Sequence, residues 1–163
     1  MSVTFSIPKK IDPRAYHVQL ASWFGCGFLS PAPGTWGSLG GLVCGLLLVG
    51  VLGHWALFFG VFAVSFIGLW AAEKFDNDLG THDSKMIVID EVAGQWIAMI
   101  PAFGSPILYA LCFVLFRAFD IIKPWPVSYF DKRVEGAAGV MGDDIVAGIM
   151  AAACILGLDL YVF

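Results

Sequence analysis

Two adjacent acidic pairs stand beside strongly apolar runs of the chain. Asp90-Glu91 precedes VAGQWIAMI, and Asp143-Asp144 precedes IVAGIMAAACILGL. Ionisable groups at a membrane are costly and usually survive because they bind an ion, a proton or a substrate. Capping of a helix N-terminus would explain one such pair, because the helix dipole stabilises an anion there. Two pairs favour a site for Mg²⁺, which takes carboxylate ligands and completes its shell with water and substrate phosphate.

A second group of charges lies in the segment FRAFDIIKPWP. Arg117, Asp120 and Lys123 follow at three-residue steps, which places them along one side of a helix end before Pro124 stops it. An arginine fork grips a phosphate bidentately, and a lysine adds a point charge. The alternative is an Arg117–Asp120 ion pair with cations reaching the lipid boundary. The two arrangements are compatible if they belong to different ligand states.

The loop SPAPGTWGS at 30–38 runs into an apolar segment. A glycine-containing turn that enters a helix exposes backbone N–H groups and is suited to binding an anion. Gly34 with the hydroxyls of Thr35 and Ser38 is therefore a candidate phosphate-binding group. A simple capping turn explains the same pattern equally well.

A polar segment at 73–85 leads directly into the first acidic pair. Its acids, Asp76 and Asp83 foremost, are candidates for further metal ligands, whereas the alternative is a solvated loop between helices. His82 has no second histidine within ligand spacing, which disfavours zinc.

Missing motifs narrow the chemistry further. The chain has no G-x-x-x-x-G-K-[ST] phosphate loop, so nucleotide hydrolysis lacks its usual signature. Cys112 and Arg117 stand one residue too close for the Cys-x5-Arg loop of cysteine phosphatases, and a thiolate nucleophile within an apolar helix is disfavoured. The histidine-centred pattern of another membrane phosphatase superfamily is also missing. Metal-assisted attack by water is the chemistry that remains.

Composition indicates the environment in which these groups must work. The chain has 163 residues, of which 59% are hydrophobic and 13% charged, and its mean hydropathy is +0.82. Ordinary soluble domains are roughly 45–50% apolar and about 25% charged. We therefore expect a single membrane domain over residues 1–163, with no room for a second unit. The net charge of −4 provides no basic field for nucleic acid.

Apolar periodicity predicts an all-α, compact multihelical membrane protein. Several of its five apolar segments are shorter than the roughly 20 residues of a comfortable span. Upstream, Asp12-Pro13 resembles a helix start, and aromatic residues from Tyr16 to Phe24 recur at helical spacing. This predicts a short N-terminal interfacial helix, with an ordinary core helix as the alternative. The five apolar segments are 38–52, 55–72, 87–103, 106–119 and 145–163.

The distribution of charges predicts an orientation. If the N-terminus is cytoplasmic, all nine basic residues fall in the cytoplasmic segments 1–37, 73–86 and 117–144, as the positive-inside rule requires. Twelve of the thirteen acids share that side, Asp159 being the exception. The acidic pairs therefore face the cytoplasm. Glycines on helix faces permit contacts within one chain or between subunits, so oligomer formation stays open.

Four blocks together resemble the phosphatidylglycerophosphatase A family of bacterial membrane lipid phosphatases. The blocks PAPGTWGS, HDSKMIVIDEVAGQW, FRAFDIIKPWP and GDDIVAG occur in the family's order and cover most of residues 24–148. The resemblance implies a multihelical fold at the bacterial cytoplasmic (inner) membrane. It also implies Mg²⁺-dependent removal of the terminal phosphate from phosphatidylglycerophosphate, giving phosphatidylglycerol, a step of phospholipid synthesis. The family's motifs fall on Pro33, Gly34, Thr35, Asp90, Glu91, Arg117, Asp120, Lys123, Pro124, Asp143 and Asp144.

The resulting hypothesis places one or two Mg²⁺ ions among the acidic pairs, with Asp83 as an additional ligand. The phosphate is bound by Arg117 and Lys123 and by the loop of Gly34, Thr35 and Ser38. The candidate catalytic residues are Asp90, Glu91, Asp120, Asp143 and Asp144.

Two alternatives stay open. A CDP-alcohol phosphotransferase also arranges acids around metal, but its D-x2-D-G-x2-A-R pattern is missing from the sequence. A small cation-binding transport protein would usually place its ligands near the bilayer midplane rather than at helix starts.

Overall fold

Helices make up nearly all the regular structure of the computed structural model, which describes residues 2–82, 84–134 and 136–161. Seven α-helices lie within those ranges, and the prediction of an all-α fold is confirmed. Two 3-10 turns, Cys26–Phe28 and Ile100–Ala102, and a two-stranded antiparallel pair, β1 (Thr4–Phe5) with β2 (Leu29–Ser30), complete the described elements. The helices are α1 (Tyr16–Ala21), α2 (Pro33–Leu52), α3 (Trp55–Leu79), α4 (Ile89–Met99), α5 (Pro106–Ile122), α6 (Val127–Arg133) and α7 (Ala137–Tyr161).

The centre of the bundle is the short helix α4. Nine of its eleven residues are buried, and it packs against α2, α3, α5 and α7. Eleven residues reach only about 17 Å, well short of a hydrocarbon core of about 30 Å. Among the described helices, three are long and apolar enough to cross a membrane, namely α2, α3 and α7. A short polar-tipped helix is therefore enclosed by apolar spans.

Glycines on α2 allow it to approach α4 closely. A Cβ at Gly37 would lie 2.5 Å from the Cβ of Val88, and one at Gly41 would lie 3.1 Å from the Cα of Val92. The indole Nε1 of Trp96 donates to the Gly41 carbonyl at 2.7 Å. These contacts fix the position of α4 along α2, so the first turns of both helices lie side by side.

The closest approach between α4 and α7 is also made by glycines. A Cβ at Gly148 would lie 2.4 Å from the Gly94 carbonyl oxygen, and one at Gly94 would lie 2.5 Å from the Asp144 carbonyl oxygen. Gly94 follows Asp90 by four residues, and Gly148 follows Asp144 by four. Because residues four apart share a helix face, this crossing brings the acidic pairs of the two helices together.

Two helix boundaries, the start of α7 and the end of α3, differ most from the sequence expectation. α7 begins at Ala137, so Asp143-Asp144 lie in its second turn rather than at its start. α3 continues to Leu79, because Phe75 is fully buried and holds the polar end of the helix on the core until Gly80 closes it at a φ of 75°. The polar segment at 73–85 is therefore partly helical.

The N-terminal helix is shorter than the sequence suggests. α1 begins at Tyr16, and Asp12 accepts a hydrogen bond from the Arg14 backbone N–H in the preceding turn at 2.9 Å. Trp23 and Phe24 lie beyond the helix at positive φ, with Trp23 buried and Phe24 exposed. The aromatic residues of this segment therefore divide between core and surface instead of forming one face.

Candidate active site

A cavity of about 1000 Å³ opens at the end of the bundle where α2, α4 and α7 begin and α5 ends. Among the described residues that line it, six carboxylates face three cationic side chains. The excess of negative charge favours a bound cation. Asp83 lies outside the described residues. The carboxylates are Asp90, Glu91, Asp120, Asp131, Asp143 and Asp144, and the cations are Lys85, Arg117 and Lys123.

Three of these carboxylates form a compact oxygen cluster. Asp90, Glu91 and Asp144 each offer an oxygen, and these oxygens lie within 4.8 Å of one another. Asp90 is 6% exposed and Asp144 is 4% exposed. Glu91 Oε2 and Asp144 Oδ1 are buried without a hydrogen-bond partner in the described part of the chain. Buried anions without partners are strongly destabilising, so the cluster fits a hard divalent cation such as Mg²⁺.

Burial changes the protonation of the α4 pair. It raises the pKa of Asp90 well above its ordinary value, and the charge of Glu91 adds to the effect. Burial likewise raises the pKa of Glu91 to about 8, although a hydrogen bond from Asp90 and the charge of Arg117 oppose the shift. Without a cation this pair therefore retains a proton at neutral pH. Because metal ligands must be deprotonated, cation binding would displace it.

Arg117 connects the carboxylates to the start of α2. Its Nη1 lies 2.5 Å from Asp120 Oδ2 and 4.0 Å from Glu91 Oε1. The same nitrogen donates to Ser38 Oγ at 3.2 Å, and Ser38 in turn donates to the Gly34 carbonyl at 2.8 Å. The Arg117–Asp120 ion pair considered as an alternative is thus present. Ser38 is buried outside the cavity lining and positions the guanidinium.

The first turn of α2 forms one wall of the cavity through Gly34. A Cβ at this position would lie 2.2 Å from Glu91 Oε1 and 3.3 Å from Arg117 Nη1. Any larger residue would therefore displace the carboxylate or the guanidinium. Thr35, the other candidate in this loop, is half-buried and lies outside the residues that line the cavity.

Lys123 approaches the cavity from the C-terminal cap of α5. Its φ of 48° is left-handed, a conformation that is strained for a residue other than glycine. Its Nζ donates to Asp143 Oδ2 at 2.7 Å and also to Asp131. Burial acts to lower the pKa of Lys123, but the hydrogen bonds and charges of these two acids outweigh it and raise that pKa. Asp143 is thus paired with a lysine and lies outside the three-carboxylate cluster.

Two residues of this region escaped the sequence interpretation. Asp131 on α6 binds Lys123, and its only signal was a charge eight residues beyond that lysine. Gln95 is fully buried, and neither atom of its amide has a hydrogen-bond partner within the described residues. It lies one turn beyond Glu91 on the same side of α4. A glutamine inside the apolar run VAGQWIAMI was the available signal.

The fold and cavity define a helical membrane protein whose polar site lies at one end of its spans. Comparison with known sequences identifies it further. The sequence profile of the family described as Phosphatidylglycerophosphatase A matches residues 19–159, and the chain belongs to this family. It is therefore a phosphatase, in agreement with the expectation from its four sequence blocks.

Relatives of known name support this assignment over most of the chain. The phosphatidylglycerophosphatase A of Haemophilus influenzae is 41% identical over 86% of this chain and 86% of its own length. The phosphatidylglycerophosphatase A of Escherichia coli K12 is 38% identical over 82% of this chain and 77% of its own length. A Bacteroides thetaiotaomicron protein, provisionally named a phosphatidylinositol-3-phosphatase, is 35% identical over 84% of this chain and 89% of its own length. No solved structure is significantly similar.

Proposed function

We propose that this protein hydrolyses the terminal phosphate monoester of phosphatidylglycerophosphate with Mg²⁺, giving phosphatidylglycerol and inorganic phosphate. The reaction is a step of phospholipid synthesis at the cytoplasmic face of the bacterial inner membrane. The observation that carries the proposal is the cluster of Asp90, Glu91 and Asp144, in the same cavity as Arg117 and Lys123. Two buried oxygens of this cluster have no hydrogen-bond partner among the described residues. The names of two relatives supply the substrate.

The level of the cluster in the bundle supports a lipid substrate. The 20 residues of α2 extend about 30 Å, which equals the thickness of the hydrocarbon core. Gly34 in the first turn of α2 adjoins Glu91, so the carboxylates lie level with one end of this span. A headgroup phosphate can reach that level while its acyl chains stay in the bilayer. The positive-inside distribution of basic residues supports a cytoplasmic location for this end.

In the proposed mechanism, Asp90, Glu91 and Asp144 hold the cation. When bound, Mg²⁺ supplies positive charge to phosphoryl oxygens and acidity to a coordinated water. Arg117 binds the phosphate through its planar fork, and phosphate oxygens compete with Asp120 for that fork. These groups fix the phosphorus for attack.

The remaining charged groups take separate roles. Because the pKa of Lys123 is raised, this lysine stays protonated and serves as a fixed positive charge for the phosphate and the leaving alkoxide. Both oxygens of Asp143 are engaged, Oδ2 by Lys123 and Oδ1 by the Asp144 backbone N–H at 3.1 Å. Asp120, released from Arg117 when phosphate binds, is the proposed acceptor of the proton from water, and this proton passes through solvent in the open cavity to the leaving alkoxide as its bond to phosphorus breaks.

Phosphate release from purified protein in lipid nanodiscs tests this proposal. We expect turnover of phosphatidylglycerophosphate with Mg²⁺ and none with a chelator. Glu91→Gln and Asp144→Asn should each reduce kcat by at least about 100-fold, since each removes a negative charge from the three-carboxylate cluster. Asp159→Asn on the far end of α7 is the matched control and should retain activity. A folded Asp144→Asn variant with full activity would remove the cluster from the mechanism.

A panel of substrates tests the preferred lipid headgroup separately from the hydrolysis itself. The Bacteroides relative's name makes phosphatidylinositol 3-phosphate the natural comparison, because both lipids carry a phosphate monoester on an alcohol headgroup. We expect a clear preference in kcat/KM for phosphatidylglycerophosphate. A preference for the inositol lipid would overturn the proposed substrate but not the hydrolysis. Folded protein that releases phosphate from neither lipid would overturn the proposed function.

A further inference from the structure

An apolar stripe runs along the outward face of α5. Ile107, Val114 and Ile121 are 59%, 59% and 67% exposed, and they follow one another at seven-residue steps. Seven residues are close to two full helical turns, so the three side chains lie above one another on one face. From Ile107 to Ile121 the stripe extends about 21 Å, more than the roughly 15 Å depth of one leaflet.

The stripe ends at the wall of the active-site cavity. Ile121 lines the cavity together with Arg117, which precedes it by one helical turn. Of the large apolar side chains that are exposed in the described part of the chain, only Ile121 also lines the cavity. The exposed apolar surface of α5 therefore joins the surface that holds the charged groups at this residue.

We propose that the phospholipid substrate enters the cavity laterally from the bilayer across this face of α5. One acyl chain lies along Ile107, Val114 and Ile121, and the headgroup passes Ile121 to reach Arg117. This access route rests on the proposed function, since it requires a lipid with a phosphorylated headgroup. Trp125 lies just beyond the end of α5 and is 79% exposed. An exposed indole at that level suits the membrane interface, where tryptophan is enriched.

A second apolar groove in the described part of the chain does not lead to the charged groups. A groove of about 540 Å³ between α2 and α3 is lined by apolar residues that include Leu48, Phe59 and Trp96. None of its described lining residues is among those that line the active-site cavity. It lies toward the opposite end of α2, where a headgroup would be far from Glu91. A lipid held there would present no phosphate to the cluster.

Matched substitutions at adjacent isoleucines test the route. Ile121→Gln places an amide on the proposed path, whereas Ile122→Gln makes the same change at a residue that is 74% exposed and does not line the cavity. The measured quantity is the ratio of kcat/KM for a long-chain phosphatidylglycerophosphate in bilayers to that for its soluble dihexanoyl analogue. We expect the ratio to fall about tenfold in Ile121→Gln, as a lost apolar contact predicts, and to stay at the wild-type value in Ile122→Gln.

Two kinetic outcomes would overturn the route. An unchanged ratio in Ile121→Gln would exclude an acyl-chain contact, and an equal fall of the ratio in both variants would indicate a general effect of polarity at this depth. Wild-type protein inactive on both substrates would instead count against the proposed function.

A binding measurement tests the route without turnover or mutation. A phosphatidylglycerophosphate with a photoreactive group in one acyl chain should label the wild-type protein on the α5 stripe. Unlabelled phosphatidylglycerophosphate should suppress that labelling, whereas phosphatidylcholine should not. Competed labelling on α3, with none on α5, would contradict the route.

Discussion

The contact between Gly94 and Gly148 gives a direct test of how the carboxylates are assembled. In Gly148→Ala, the added Cβ would lie 2.4 Å from the Gly94 carbonyl oxygen and 2.9 Å from the Gly94 Cα. An ordinary contact begins at 3.4 Å, so α7 must move away from α4 by about 1 Å. No rotamer change can relieve the clash, because the obstructing atoms belong to the backbone.

Such a displacement disturbs the geometry of the three-carboxylate cluster more than the stability of the fold. Overpacking costs about 1–3 kcal/mol, which lowers Tm by roughly 2–4 °C for each kcal/mol in a chain of this size. The cluster, however, requires Asp144 on α7 to meet Asp90 and Glu91 on α4 within 4.8 Å. Mg²⁺ tolerates little departure from its preferred oxygen distances, and a misplacement of about 1 Å can cost on the order of 100-fold in rate.

We therefore expect Gly148→Ala to remain folded, to lose about 100-fold in kcat/KM and to need more Mg²⁺ for half-maximal rate. Gly157→Ala is the matched control on the same helix, since no described atom lies within 4 Å of its Cβ position. It should match the wild-type rate and raise Tm slightly, because alanine favours the helix. A Gly148→Ala variant with wild-type rate and Mg²⁺ dependence would refute the claim that this contact sets the cluster.

Three further predictions concern α4 and Arg117. Because burial raises the pKa of Glu91 from 4.5 to about 8, the folded state holds a proton that the unfolded state releases. Without metal, Tm should fall as pH rises through this range, and Mg²⁺ should restore it more at high pH than at low pH; a Tm that rises with pH would contradict this. Gln95→Met should raise Tm, because a buried amide without partners costs about 1–3 kcal/mol. The same variant should lower phosphatase activity if the amide acts when substrate is bound, and an unchanged rate would show that Gln95 is dispensable for catalysis. Arg117→Lys keeps the charge but loses the guanidinium fork, whose Nη1 meets Asp120 and Ser38, and kcat/KM should fall about 10- to 100-fold with Tm nearly unchanged; wild-type kinetics would exclude bidentate binding of phosphate.

Sequence reasoning identified the groups of the cavity better than it identified the helices that hold them. Asp90-Glu91, Arg117 and Lys123 were recognisable because charges are rare in so apolar a chain. The start of α7 was placed eight residues late because GVMGDD carries little apolar periodicity. Its glycines and its acids are nevertheless compatible with a helix once α4, α6 and Lys123 pack around them.

The separate fates of Asp143 and Asp144 could not be read from the chain. Adjacent residues on a helix point about 100° apart, so one faces α4 and the other faces Lys123. Which one faces α4 depends on the rotation of α7, and the Gly94–Gly148 contact sets that rotation in three dimensions. The Asp131–Lys123 pair likewise depends on how α6 folds back onto α7. The local sequence pattern specifies neither the rotation of α7 nor the way α6 folds back onto it.

The position of Gly34 beside Glu91 has a kinetic consequence. Under the proposed function, carboxylates that lie level with the end of α2 would meet a lipid substrate by lateral diffusion within one leaflet rather than by collision from water. The concentration that governs saturation is then a mole fraction in the bilayer. At a fixed total amount of substrate, adding inert phospholipid lowers the mole fraction of substrate and should slow the reaction. Diluting the same vesicles with water leaves the mole fraction unchanged and should not slow it. KM for such a reaction is a surface concentration and should be expressed as a mole fraction of the bilayer lipid.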